Sequence, residues 1–150
     1  MRMRAAAIAL AAAFICGAAP AAANSVTVTI TDLRADDGEY RGVVRACLTS
    51  LQNAFPRCNR DPNAKRVTVR AGARVTVRFD NVAPGDYAIA ILHDENEDGM
   101  ANRVLGMAPR EGYGFSRDAP VRMAPPEWDD AVFQMGREAQ RMTVRMRYFL

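Results

Sequence analysis

Between Ser25 and Asp32 the chain alternates Val26, Val28 and Ile30 with Thr27, Thr29 and Thr31. That is the period-two signature of a strand with one buried face. Asp36-Asp37-Gly38 marks a turn, and Tyr40 to Thr49 reads as a second strand. It places Gly42, Val44, Ala46 and Leu48 on one face and Val43, Arg45 and Cys47 on the other. From Ser50 to Ala64 the period disappears among Gln, Asn, Pro, Arg and Asp, which predicts an irregular excursion. Lys65 to Arg70 and Ala73 to Asp80 alternate again, with Val67, Val69, Val75, Val77 and Phe79 inward and arginines outward. Ala71-Gly72 between them reads as a tight turn, which leaves open whether the two strands pair. Tyr87 to His93 is apolar on both faces, as a central strand requires. A long loop from Asp94 to about Glu127 follows, and Trp128 to Met135 and Met142 to Leu150 supply two more strands.

Seven strands and no convincing helix predict an all-β fold, and an antiparallel sandwich is the simplest way to bury the inward faces. The long loop then covers one end. Tyr113 and Phe115 are expected to pack against the sandwich, with Gly112 and Gly114 allowing the sharp backbone turns that bring both rings down.

The first 23 residues change the address. Arg2 and Arg4 precede an apolar run that reaches Ala21-Ala22-Ala23 before Asn24. A charged start, a short apolar stretch and a small-residue end describe a secretory signal peptide cut after Ala23. The run is broken by Gly17 and Pro20 and falls short of the roughly 20 residues that span a bilayer. Residues 24–150 then form one domain, periplasmic or secreted, with no transmembrane segment. Export also removes Arg2 and Arg4 from the 20 basic residues, leaving 18 against 17 acidic ones. A net charge near +1 argues against a nucleic-acid partner and leaves a cell-envelope protein or a small ligand.

Cys16 leaves with the signal, so two cysteines remain, Cys47 and Cys58. In an oxidising compartment a disulfide is the expectation. Zinc would want more Cys or His, and His93 is the single histidine.

The sharpest chemical pattern is Asp94-Glu-Asn-Glu-Asp-Gly-Met-Ala-Asn102. Oxygen-bearing side chains on alternate residues suit a hard cation such as calcium, which takes six to eight oxygens. Asp94, Asn96 and Asp98 stand at positions 1, 3 and 5, Gly99 at 6, the Met100 carbonyl at 7 and Asn102 at 9. Leu105 holds position 12, where an EF-hand carries a bidentate Glu, so any ion needs a ligand from elsewhere; Glu111 and Asp118 are the candidates. The competing reading is a solvated turn whose Asp and Asn side chains bond their own backbone. His93 beside Asp94 and Glu95 defines an alternative, an acid–base or metal-dependent hydrolase at residues 93–98, although no Ser or Cys nucleophile is identifiable. With no complete catalytic constellation, a non-enzymatic binding or structural module is the better reading. The outward Arg66, Arg70, Arg74, Arg78, Arg145 and Arg147 read first as solubilising charge on sheet faces.

One resemblance covers nearly the whole of residues 24–150. Phe79-Asp-Asn-Val-Ala-Pro-Gly-Asp-Tyr-Ala-Ile-Ala90, His93-Asp-Glu-Asn-Glu-Asp-Gly99, Gly106-Met-Ala-Pro-Arg-Glu-Gly-Tyr-Gly-Phe-Ser116 and Pro125-Pro-Glu-Trp-Asp-Asp-Ala-Val-Phe133 come one after another in order. The series resembles the secreted bacterial domain-of-unknown-function family 2141. The resemblance implies an exported protein with an immunoglobulin- or transthyretin-like sandwich and no established activity.

Overall fold

The computed structural model describes residues 24–149 apart from Asn102, 105–107, Arg110 and Met123. The signal-peptide expectation for residues 1–23 therefore lies outside the described residues, as does the ligand role of Asn102. Ten strand segments are present among the described residues: β1 (Val26–Thr31), β2 (Val43–Thr49), β3 (Lys65–Arg70), β4 (Val75–Phe79), β5 (Gly85–Asp94), β6 (Arg103–Val104), β7 (Ala108–Pro109), β8 (Gly112–Phe115), β9 (Phe133–Met135) and β10 (Gln140–Arg145). Each of the seven expected stretches overlaps a strand segment, although the segments number ten rather than seven among the described residues. β6, β7 and β8 are additional and fall within the segment expected to be loop.

One sheet has the order β10-β1-β4 and the other β3-β2-β5-β8. β5 is central as expected. β2 runs along its whole C-terminal half, while β9 pairs with Gly85–Tyr87 and β8 with Ala90–His93 on the opposite edge. The sheets meet through one apolar cluster: Val26, Val28, Ile30, Val77 and Phe79 from one side, Val44, Leu48, Ile89, Ile91 and Met135 from the other. Each such side chain contributes about 1.5–3 kcal/mol when fully buried. The alternation predicted those faces, and burial follows it.

Three expectations need correction. Pairing is mostly antiparallel, but β10 runs parallel to β1, from Val26↔Gln140 to Thr31↔Arg145. The first and last strands are joined by a long path, which leaves the chain free to return in either direction. Trp128 to Met135 is not one strand. Its first half is a single helical turn, α1 (Trp128–Ala131), because the Asp130 carboxylate accepts the Glu127 N–H and local capping overrides the alternation. The last strand stops at Arg145 rather than Leu150, and beyond it Arg147 bridges to Tyr113 of β8.

β3 and β4 do not form a hairpin. β3 pairs with β2 and β4 with β1, so Ala71-Gly72 carries the chain from one sheet to the other.

The Gly-Tyr-Gly-Phe stretch is a strand, and its glycines serve close approach rather than a turn. On one face, a Cβ on Gly112 would overlap the Tyr148 ring, and one on Gly114 would stand 2.6 Å from Val144 Cγ1. On the other, Phe115 is buried with Ala88, Ala119 and Ala131 in a second cluster, against which Tyr113, Phe55 and Trp128 pack. Both rings of Tyr113 and Phe115 thus lie on the sheet, as the sequence implied.

Candidate functional site

β5 ends by delivering His93 and Asp94 into the loop, and both are fully buried. Gly42, at φ +70°, makes room for this: a Cβ there would collide with the Asp94 carbonyl oxygen and lie 2.7 Å from Glu95 Cα. The left-handed φ and the missing side chain are both needed.

The Asp94 carboxylate organises the loop from residue 95 to residue 99. Its Oδ2 accepts Arg45 Nε at 2.6 Å and the Gly99 N–H at 3.0 Å, and its Oδ1 accepts the Asp98 N–H at 3.2 Å. Asp98 Oδ1 accepts the Met100 N–H at 2.8 Å, and Asn96 Nδ2 donates to Asp98 Oδ2 at 2.9 Å. These self-directed bonds are those of an Asx-type turn. The same folding draws carboxylates together. Asp94, Asp98 and Glu111 each offer an oxygen within 4.8 Å of the others, and Glu111 is only 3% exposed. Of the two candidates for an extra ligand, Glu111 is therefore at the loop. Asp118 is committed elsewhere: Arg145 and Arg147 bind its Oδ2 at 2.7 and 3.1 Å. Asn96 is exposed and held by Asp98, and Met100 is a 62% exposed side chain at the loop's tip.

His93 does not face the loop's solvent side. Its Nε2 donates to the Arg41 carbonyl at 2.8 Å, since a carbonyl can only accept. In the neutral ring its Nδ1 then accepts from the Tyr148 hydroxyl at 2.6 Å. That hydroxyl in turn accepts the Arg34 N–H at 2.9 Å. Burial is the main cause that pushes the Tyr148 phenol up to about 12. The Arg34 guanidinium sits 4.7 Å above the Tyr148 ring and reaches Glu95 Oε1 at 2.8 Å. His93 ties three distant segments together. With both ring nitrogens engaged and no exposed surface, it has no free position from which to take a proton from a substrate.

The outward arginines are largely engaged. Arg70 reaches Glu97, Arg78 reaches Asp80, and Arg66 donates to the carbonyls of Cys58, Asp61 and Ala64. For Asp118, burial acts to raise the carboxyl, but the Arg145 backbone N–H and the Arg145 and Arg147 guanidinium groups outweigh it and hold the group below the ordinary carboxylate value. Cys47 and Cys58 form the expected disulfide, with Cα atoms 6.5 Å apart, tying the 50–64 excursion to β2.

Arg45, Gly42, Arg34 and Tyr148 escaped the sequence reading. Arg45 carried one signal, a charge within the stretch Val43–Leu48 that is otherwise made of Val, Ala, Cys and Leu.

The chain matches, over residues 28–143, the family described as an uncharacterized protein conserved in bacteria (DUF2141), and it belongs to that family. No curated protein and no solved structure matches it.

Proposed function

We propose that this is an exported, non-enzymatic binding or structural module of the bacterial cell envelope, whose loop at the end of β5 takes up calcium weakly. An immunoglobulin- or transthyretin-like sandwich is the arrangement that suits the two sheets, and the Cys47–Cys58 disulfide supports an oxidising compartment, periplasmic or extracellular. Among the described residues no helix is long and apolar enough to cross a membrane.

The observation that carries the calcium reading is the convergence of Asp94, Asp98 and Glu111 within 4.8 Å, two of them buried. Crowded carboxylates repel one another, and a hard cation is one partner that offsets this. Arg45 supplies one positive charge to Asp94, and a hard cation supplies more. Three carboxylates with no bidentate twelfth ligand belong to the weak extracellular class, on the order of 0.1–1 mM. At ten times the dissociation constant, linkage stabilises the fold by about 1.4 kcal/mol. The test is thermal unfolding in millimolar calcium against chelator, for the parent and for Asp94→Ala/Asp98→Ala. A rise of a few degrees in the parent alone is expected. An absent shift, or the same shift in both, returns the loop to a solvated turn.

A further inference from the structure

The disulfide-closed excursion, at a different place from the acidic loop, shapes a half-open surface depression of about 230 Å³ lined by Asn53, Ala54, Phe55, Pro56, Arg57, Asn59 and Arg60. Its walls are held from several directions. Cys58 is bridged to β2 and its N–H donates to the Ala54 carbonyl at 2.8 Å. Arg66 bonds the Cys58 carbonyl at 2.7 Å, and Phe55 packs edge-on against both Phe115 and Trp128. The backbone of the cavity is therefore anchored to the five-stranded sheet.

The polar side chains of the lining contrast with this anchoring. The guanidinium groups of Arg57 and Arg60 and the amides of Asn53 and Asn59 make no hydrogen bond or ion pair with any described residue. Among the described residues no carboxylate lines the depression. The nearest in sequence, Asp61, is buried and occupied by Thr49 Oγ1 at 2.6 Å and the Asn63 N–H at 2.8 Å. Two positive charges and two amides with free donors thus border one concavity that offers no competing anion. Arg70 and Arg78 on the sheet faces are matched by a carboxylate, whereas Arg57 and Arg60 share one concavity without one.

We infer that this cavity binds a small oxyanion-bearing molecule, its phosphate or carboxylate group held by Arg57 and Arg60 with Asn53 and Asn59 donating at the rim. Planar guanidinium forks match both head groups bidentately, and such charge-assisted bonds are about twice as strong as neutral ones. The volume lies below the roughly 300–1,000 Å³ of pockets for drug-sized ligands, which sets the scale at a head group with a short substituent against Phe55. This site is independent of the calcium loop and goes beyond a calcium-binding envelope module.

The experiment is an amide chemical-shift titration of the intact, disulfide-bonded protein with sodium phosphate and, separately, sodium acetate, at constant ionic strength in chloride. Saturable shifts centred on residues 53–60 are expected with at least one anion, and the one that saturates at lower concentration identifies the head group. Arg57→Gln and Arg60→Gln, both at exposed positions, should fold as the parent does and each weaken that binding about tenfold. Arg74→Gln, away from the cavity, should leave it unchanged. Shifts that do not saturate, that spread evenly over the surface arginines, or that survive both cavity substitutions overturn the inference.

Discussion

Arg45 Nε lies 2.6 Å from Asp94 Oδ2, joining a partly exposed guanidinium on β2 to a carboxylate on β5 that is fully buried. The same carboxylate accepts two loop N–H groups and faces Asp98 and Glu111. Arg45 is therefore both the fold's counter-ion for Asp94 and the competitor of any metal there. Arg45→Gln should destabilise the protein in chelator by about 2 kcal/mol, less than the loss of a fully buried pair because Arg45 is partly solvated. Its calcium-dependent rise in melting temperature should exceed the parent's, because the competing charge is gone. A smaller or equal rise in thermal scans would count against a metal at this carboxylate.

Gly42 sets where the loop begins. Gly42→Ala places a methyl group against the Asp94 carbonyl at a left-handed φ, and a loss of about 3 kcal/mol is expected from the clash and the backbone strain together. Gly38 has φ +82° but open space around it, so Gly38→Ala should cost only about 1 kcal/mol. Urea unfolding of the two variants measures the difference, and equal losses would mean that close approach to Asp94 is not the constraint.

Tyr148 predicts an alkaline limit. Its folded value of about 12 is raised from 10.0, so the unfolded chain releases the proton first as pH rises. The corresponding stability is complete below pH 10 and is lost as pH rises through about 12. Ultraviolet titration should show one of the four tyrosines ionising late, at about 12, and Tyr148→Phe should remove that late step. Removing the hydroxyl leaves His93 Nδ1 and the Arg34 N–H without their partner, at a cost of about 1–3 kcal/mol.

Asp118 predicts the acid side. Its carboxyl is held below its ordinary 3.8, so its contribution is present above that value and is lost as pH falls through the lower folded value. Asp118→Asn should remove this part of the acid sensitivity and, because the side chain is partly solvated, cost about 1 kcal/mol at neutral pH. Acid titration of the folded fraction by circular dichroism, parent against variant, provides the check. Parallel acid limbs would remove Asp118 from the account.

The sequence alone determined the local choices. Period-two alternation named the buried faces of β1, β2 and β4 because a strand must turn successive side chains to opposite sides, whatever surrounds it. With Cys16 set aside as part of an expected signal peptide, Cys47 and Cys58 allowed one intramolecular pairing. The Asp-Asn-Asp-Gly spacing marked the loop, since carboxylates and amides on alternate residues either bond their own backbone or face a cation. Tertiary structure decided everything that depends on which strands become neighbours. Short strands of similar composition carry no label for their partners, so the parallel return of β10 beside β1 and the separation of β3 from β4 were invisible in the pattern. The pairing of Arg45 with Asp94 arises only because β2 lies beside β5. The placement of Glu111 at the acidic loop, and of His93 behind Tyr148 rather than at an open site, likewise joins residues far apart in the chain.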